Sequence, residues 1–245
     1  MPTVSRPLPL GWAFGLPLGL AALLLIVEPT RLDFALADYF YQPGTGGFVG
    51  RHSALLENVF HDRVKQAVIL LGVLALLGLA LSLLRPAWAH LRRPLGYLVL
   101  AMGLSTAIVP PLKTLTGVQC PWSLSRYGGT ETYSALLSPR PATDKPGRCW
   151  PGGHASSGFA LFALYFIWRD RRPRVARLAF AGALLLGCIL SGARMMQGAH
   201  FLSHNLWTAI FDWLICLGLY RALLYRAAPA SPRAKPIAAA LAPVE

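Results

Sequence analysis

Lys113, His154, Arg194 and His200 are the side chains whose types and placement suit chemistry at phosphorus. A lysine supplies a point charge, and the planar fork of an arginine suits a pair of phosphate oxygens. A neutral imidazole can attack phosphorus and divide one hard displacement into two easier ones. A second imidazole can give its proton to the departing alkoxide. Each residue stands at or near the end of an apolar run. Lys113 opens a polar segment after one run, and Pro151-Gly152-Gly153-His154 opens the next. Arg194 and His200 bracket the following edge. Pro151 suits the first turn of a helix. The N–H groups of Gly152 and Gly153 can approach an anion closely, and the positive end of a helix dipole favours one there. The plainer reading of this tetrapeptide is a helix start with glycines for close packing. An arginine one turn inside an apolar run needs a partner, a function, or a route to the headgroups.

The elements that position these residues are membrane spans. The chain has 245 residues, of which 55% are hydrophobic and 13% charged, too apolar for an ordinary soluble domain. Runs of roughly 17–20 apolar residues each suffice to cross a hydrocarbon core about 30 Å thick. Six are expected, at 11–27, 66–84, 95–112, 151–168, 178–198 and 205–220. The first is long for a signal-peptide core, and no small-residue cleavage site follows it, so it is read as a retained span. The fold class is therefore all-α: a polytopic membrane protein with six transmembrane helices and an outward-facing site. One membrane domain covers 1–226, and an Ala- and Pro-rich tail, expected to be disordered, covers 227–245.

The net charge of +13 does not mark nucleic-acid binding, because the basic residues form no patch and lie in short connections between apolar runs. Arg85, Arg92 and Arg93 separate spans two and three, and Arg169, Arg171, Arg172, Arg174 and Arg177 separate four and five. Residues 28–65 instead carry five acids against four bases. The positive-inside rule then places both termini in the cytoplasm and 28–65, 113–150 and 199–204 outside. The expected location is a bacterial-type cytoplasmic (inner) membrane, with the site on the periplasmic or exterior side. Residues 31–41 read as a short amphipathic helix in the interface, and 52–65 as a second. Trp12, Trp168 and Trp207 fall near span ends, where interfacial anchoring is expected. Trp122 and Trp150 lie in the outer loop, as packing residues or as part of a lipid-access surface. Cys188 and Cys216 lie inside spans as core thiols. Cys120 and Cys149 lie outside, where a disulfide is permitted and expected.

Three blocks of this chain resemble the type-2 phosphatidic acid phosphatase superfamily of integral-membrane lipid phosphatases. That family reads Lys-X6-Arg-Pro, Pro-Ser-Gly-His and Ser-Arg-X5-His-X3-Asp. This chain reads Lys113-X6-Cys120-Pro121, Pro151-Gly152-Gly153-His154 and Ala193-Arg194-X5-His200-X3-His204. The resemblance covers about residues 60–220 and implies a lipid phosphatase that needs no cofactor or metal. It implies His200 as a nucleophile forming a phosphohistidine and His154 as the general acid. Lys113, Arg194 and the Gly153 N–H would hold the oxygens of the pentavalent transition state. Four positions depart from the pattern: Cys120 for arginine, Gly152 and Ala193 for serines, and His204 for the aspartate that orients the nucleophile. His204 is expected to orient His200 by accepting a hydrogen bond. Arg126 or Arg148 is expected to replace the missing arginine. Asp212 is about 12 Å further along a helix than His204, so it is read as a packed acid with a hydroxyl or arginine partner.

Other functional classes stay open at this point. His154, His200 and His204 form a possible metal triad, since His200 and His204 share a helix face at i, i+4. A lipid-phosphate carrier would use the same cationic pocket without covalent chemistry. A phosphotransferase would pass the phosphoryl group to another lipid. The expected partners are the bilayer and a lipid phosphate: lipid A phosphate, an isoprenyl pyrophosphate, phosphatidylglycerol phosphate or phosphatidic acid. The sequence does not give the oligomeric state.

Overall fold

The computed structural model describes residues 4–227; the tail expected to be disordered therefore lies, apart from residue 227, outside the described residues. Nine α-helices are described: α1 (Leu10–Val27), α2 (Thr30–Phe40), α3 (Val64–Leu84), α4 (Arg92–Ala107), α5 (Val109–Thr116), α6 (Gly153–Phe159), α7 (Phe162–Trp168), α8 (Pro173–Met196) and α9 (Leu202–Leu223). A two-residue hairpin pairs β1 (Tyr41–Gln42) with β2 (Gly47–Phe48). Among the described residues, five helical stretches are long and apolar enough to cross a membrane: Leu10–Val27, Leu55–Leu84, Pro86–Ser123, Pro173–Met196 and Leu202–Leu223. Their outer faces carry large apolar side chains such as Trp12, Leu16, Ile26 and Leu83. That distribution suits a hydrocarbon solvent, with the backbone bonded inside each helix.

The stretch expected as a fourth span, 151–168, is divided into α6 and α7. The cause is a close crossing with α8. A Cβ on Gly187 would lie 2.2 Å from the Phe159 ring, and one on Gly158 would lie 2.5 Å from the Gly187 nitrogen. Just past this contact the chain tightens into i→i−3 bonds, from Leu161 N–H to the Gly158 carbonyl (3.2 Å) and from Leu164 N–H to that of Leu161 (2.9 Å). Pro151 is not in the first turn either. It follows a cis Trp150–Pro151 peptide, and the helix starts at Gly153. Residues 52–65 do not form a separate interfacial helix; Leu55–Arg63 is a wide-turned (π-type) lead into α3.

The central core joins α4, α6, α7, α8 and α9 through Tyr97, Leu98, Met102, Phe159, Phe162, Phe166, Ala183 and Leu217. Asp212 is fully buried here and accepts a hydrogen bond from Ser156 Oγ (3.3 Å), the hydroxyl partner expected of it. Trp207 is not an interfacial anchor. It is buried, edge-on to Trp150 at 5.6 Å, because α9 turns that face toward the disulfide loop. At the other end of the bundle, Ser5 N–H donates to the Arg226 carbonyl (3.0 Å), so the two described chain ends meet.

Candidate active site

The site end of the bundle is assembled from the ends of several elements. Gly198 ends α8 with φ of +70°, and a Cβ there would lie 2.3 Å from the Phe48 ring, so the position accommodates only glycine without rearrangement. The turn delivers His200 between α8 and α9. On its far side, Asp33 of α2 accepts hydrogen bonds from the Ser203 N–H (2.9 Å) and the Ser203 hydroxyl. This carboxylate caps the first turn of α9 from outside the helix, where unsatisfied N–H groups and the dipole favour an anion. Phe201 fixes the same corner against Phe34 (5.3 Å) and Tyr133 (6.1 Å).

The disulfide Cys120–Cys149 forms as expected and places Trp150 and Pro151 beside α9. Gly152 N–H donates to the His204 carbonyl (3.1 Å), and Thr208 Oγ1 donates to the Gly152 carbonyl (3.0 Å). Gly152 is therefore stitched to α9, and its N–H is already used. A Cβ at Gly152 would lie 2.3 Å from Asn205 Oδ1. This close approach gives a physical reason for glycine in place of the serine of the resembling motif. Gly153 starts α6, and a Cβ built there would lie 3.5 Å from Lys113 Nζ. Lys113, near the end of α5, thus reaches across to the start of α6.

Four of the expected residues converge. Lys113, Arg194 and His154, together with His204, all lie within electrostatic reach of the His200 ring. Lys113 also faces Arg194 and Arg148. His200 is buried, and burial, first, with these neighbours second, holds its imidazole well below the ordinary value of 6.5. A neutral ring is the form a nucleophile requires. Arg194 is positioned by Gln197, whose Oε1 accepts from Nη1 at 2.7 Å; Glu57 is 3.8 Å away and the Trp122 ring 5.8 Å away. Gln197 in turn donates to Glu57 (3.0 Å).

Other expectations meet a different geometry. His204 does not accept a hydrogen bond from His200. The ring centroids are 6.0 Å apart and neither Nδ1 has a hydrogen-bond partner. Arg148 lies at the site edge and donates to Thr114 Oγ1 at 3.1 Å. Arg126 instead makes a bidentate pair with Asp38 at 3.0 and 2.7 Å. That pair holds the Asp38 carboxyl below its ordinary range. Cys149 Sγ and ring nitrogens of His200 and His204 lie within 4.8 Å of one another. This group fits a metal poorly: the sulfur is spent in the disulfide, and Lys113 faces both imidazoles. His154 is not part of that cluster.

Comparison with known proteins decides the family. The sequence model described as "PAP2 superfamily" matches residues 94–228, over half of the chain. The chain belongs to the PAP2 superfamily. Its relatives include a protein named lipid A 4'-phosphatase from Francisella tularensis subsp. novicida (strain U112). The two are 26% identical over 200 residues, covering 80% of this PAP2 chain and 87% of that protein. No solved structure matches the chain significantly. The PAP2 match begins at α4 and so excludes α2 and the lead into α3, which contribute Asp33 and Glu57. Sequence reasoning missed these two acids, together with Gln197 and Asn205. Asp33 left one signal, an acid within a short amphipathic helix.

Proposed function

We propose that this PAP2 protein hydrolyses a phosphate monoester or pyrophosphate on a membrane lipid through a phosphohistidine at His200. A neutral His200 ring nitrogen attacks phosphorus while the bond from phosphorus to the lipid oxygen breaks. His154 gives its proton to that oxygen. Water then attacks the phosphohistidine, His154 takes the proton, and inorganic phosphate leaves with both imidazoles restored. Lys113, Arg194 and Arg148 hold the phosphoryl oxygens, in the sense of charge placed in advance of the transition state. The observation that carries the reading is the convergence of Lys113 and Arg194 on a buried imidazole. Lys113, faced by Arg194 and Arg148, favours an anion over a metal ion at this place. Family membership and the likeness to a lipid A 4'-phosphatase support lipid phosphatase activity. They make a lipid A phosphate the first substrate to test, ahead of an isoprenyl pyrophosphate, phosphatidylglycerol phosphate and phosphatidic acid.

The same reading places six crossings in a bacterial inner membrane, α6 and α7 together forming the fourth. The meeting of Ser5 and Arg226 supports an even number. The disulfide beside the site supports an extracytoplasmic active face, as does the arginine-rich opposite end. The test is phosphate release by purified protein in detergent against that lipid panel, with and without chelator. Turnover should survive the chelator and fall by roughly 10³-fold or more in His200→Ala. Labelled phosphate should be trapped on His200 after rapid quenching. Full turnover by His200→Ala ends the proposal. His204→Asp should keep or raise activity, since a carboxylate would offset the imidazolium that forms.

A further inference from the structure

A cavity of about 520 Å³ opens at the end of the bundle opposite the active site, between the start of α4 and the ends of α7 and α9. That volume is in the range of small-ligand sites. Its floor is apolar, with Leu98, Leu164 and Ile167, and its rim carries Arg93, Arg171 and Arg226. Four other arginines of this end are engaged. Arg92 donates to the Ser82 (2.8 Å) and Leu83 (3.3 Å) carbonyls at the end of α3. Arg169 is bonded to Tyr220, Pro7 and Asp170. Arg172 lies over Trp168, and Arg221 over Tyr225. Among the described residues, no carboxylate forms an ion pair with Arg93, Arg171 or Arg226. Asp170 also lines the cavity, but its oxygens already accept from Arg169, Tyr220 and the Arg6 N–H.

We infer that this cavity binds an anionic phospholipid of the arginine-rich leaflet, with the phosphate at the Arg93–Arg171–Arg226 rim and the upper acyl chain on the apolar floor. Charge complementarity selects the headgroup: three exposed arginines with no acid of their own favour a net negative lipid over a zwitterionic one. The floor selects a lipid over a free anion, because a soluble phosphate would leave that apolar surface unused. The bound lipid is not a substrate. A phosphodiester such as phosphatidylglycerol offers no terminal phosphate, and the catalytic residues stand at the opposite ends of the same helices. The inference uses the membrane reading of the chain and is independent of the phosphohistidine mechanism.

Native mass spectrometry of the full chain in detergent, titrated with phosphatidylglycerol or phosphatidylcholine, tests it. One tightly retained phosphatidylglycerol is expected, favoured about tenfold or more over phosphatidylcholine. Combined Arg93→Ala, Arg171→Ala and Arg226→Ala should erase that preference while phosphate release stays at the parent level. Leu164→Trp, which fills the floor, should lose the same adduct with the rim intact. The binding arm is repeated in His200→Ala, so failure of the catalytic proposal leaves it readable. Equal retention of both lipids, or an unchanged adduct in both variants, overturns the inference. So does displacement of the lipid by millimolar inorganic phosphate. A lipid that binds only after removal of residues 228–245 would assign the cavity to that segment and overturn it as well.

Discussion

Arg194 and Arg93 stand at opposite ends of the same helix bundle and are surrounded in opposite ways. The Arg194 side chain is only 13% exposed and is fixed by Gln197, with Glu57 and Trp122 close by. Arg93 is exposed and, among the described residues, has no carboxylate partner. At the site end, polar groups are buried and bonded to one another: Asp33 to Ser203, Gly152 to His204, Thr208 to Gly152. At the other end, charge rims an apolar cavity. A buried, bonded charge keeps its geometry and is ready for a transition state. An exposed one is screened and mobile, and attracts anions without shaping them. On the two proposals made above, the same residue type serves catalysis at one end and adhesion at the other.

The sharpest way to break this comparison is to remove one arginine from each end. Arg194→Ala should lower kcat/KM by about 10²–10³-fold, while Arg93→Ala should stay within about twofold, both read by phosphate release. Removing the disulfide tests what holds the site end rigid. Its cysteines are 29 residues apart, and a Cys120→Ser, Cys149→Ser double variant should lose roughly 3–4 kcal/mol of stability in the chain-entropy model. Thermal unfolding in detergent measures this. Gly152→Ser should cost about tenfold in activity by overpacking Asn205, and adding Asn205→Ala should recover most of it. Such recovery is the non-additivity expected of touching residues.

Two smaller effects follow from pH. Because His200 is held well below 6.5 and, on the proposed mechanism, must be neutral to attack, the acid limb of kcat/KM should lie below pH 6.5. Arg194→Ala should move that limb upward by removing one repelling charge. Burial raises the Asp33 carboxyl above its ordinary 3.8, despite the hydrogen bonds from Ser203. Its folded value then exceeds its unfolded one, so its contribution to stability is complete below the unfolded value and is lost as pH rises through the folded one. Asp33→Asn should flatten that part of a plot of Tm against pH. An unchanged profile would show that the cap does not titrate.

The candidate cluster was legible because it lies on three short blocks whose residue types state their chemistry. Lys113, His154, Arg194 and His200 were named from spacing, and the fold brings them together. The residues that hold them were not legible. Asp33, Glu57 and Asn205 are ordinary types at unremarkable positions, and they gain meaning only through contacts across 170, 137 and 53 residues, with Ser203, Arg194 and Gly152 respectively. Arg126 and Arg148 looked alike as loop arginines. Their fates separated because Asp38, on α2, lies beside one, and Thr114, next to Lys113, beside the other. The break between α6 and α7 was hidden for a similar reason, since a run of apolar residues does not show that Phe159 must pass over Gly187.

The sequence by itself determined that the chain crosses a membrane, where its apolar runs begin and end, and which side chains could handle a phosphate. Hydropathy and side-chain chemistry are properties of single residues and short windows, so they need no partner to be read. Only the tertiary structure decided which loop arginine stands beside the site, why Gly152 stands there in place of serine, and that His204 does not bond to His200. Those outcomes depend on distances of a few ångströms between distant segments, which close packing of the helices fixes and linear spacing does not encode.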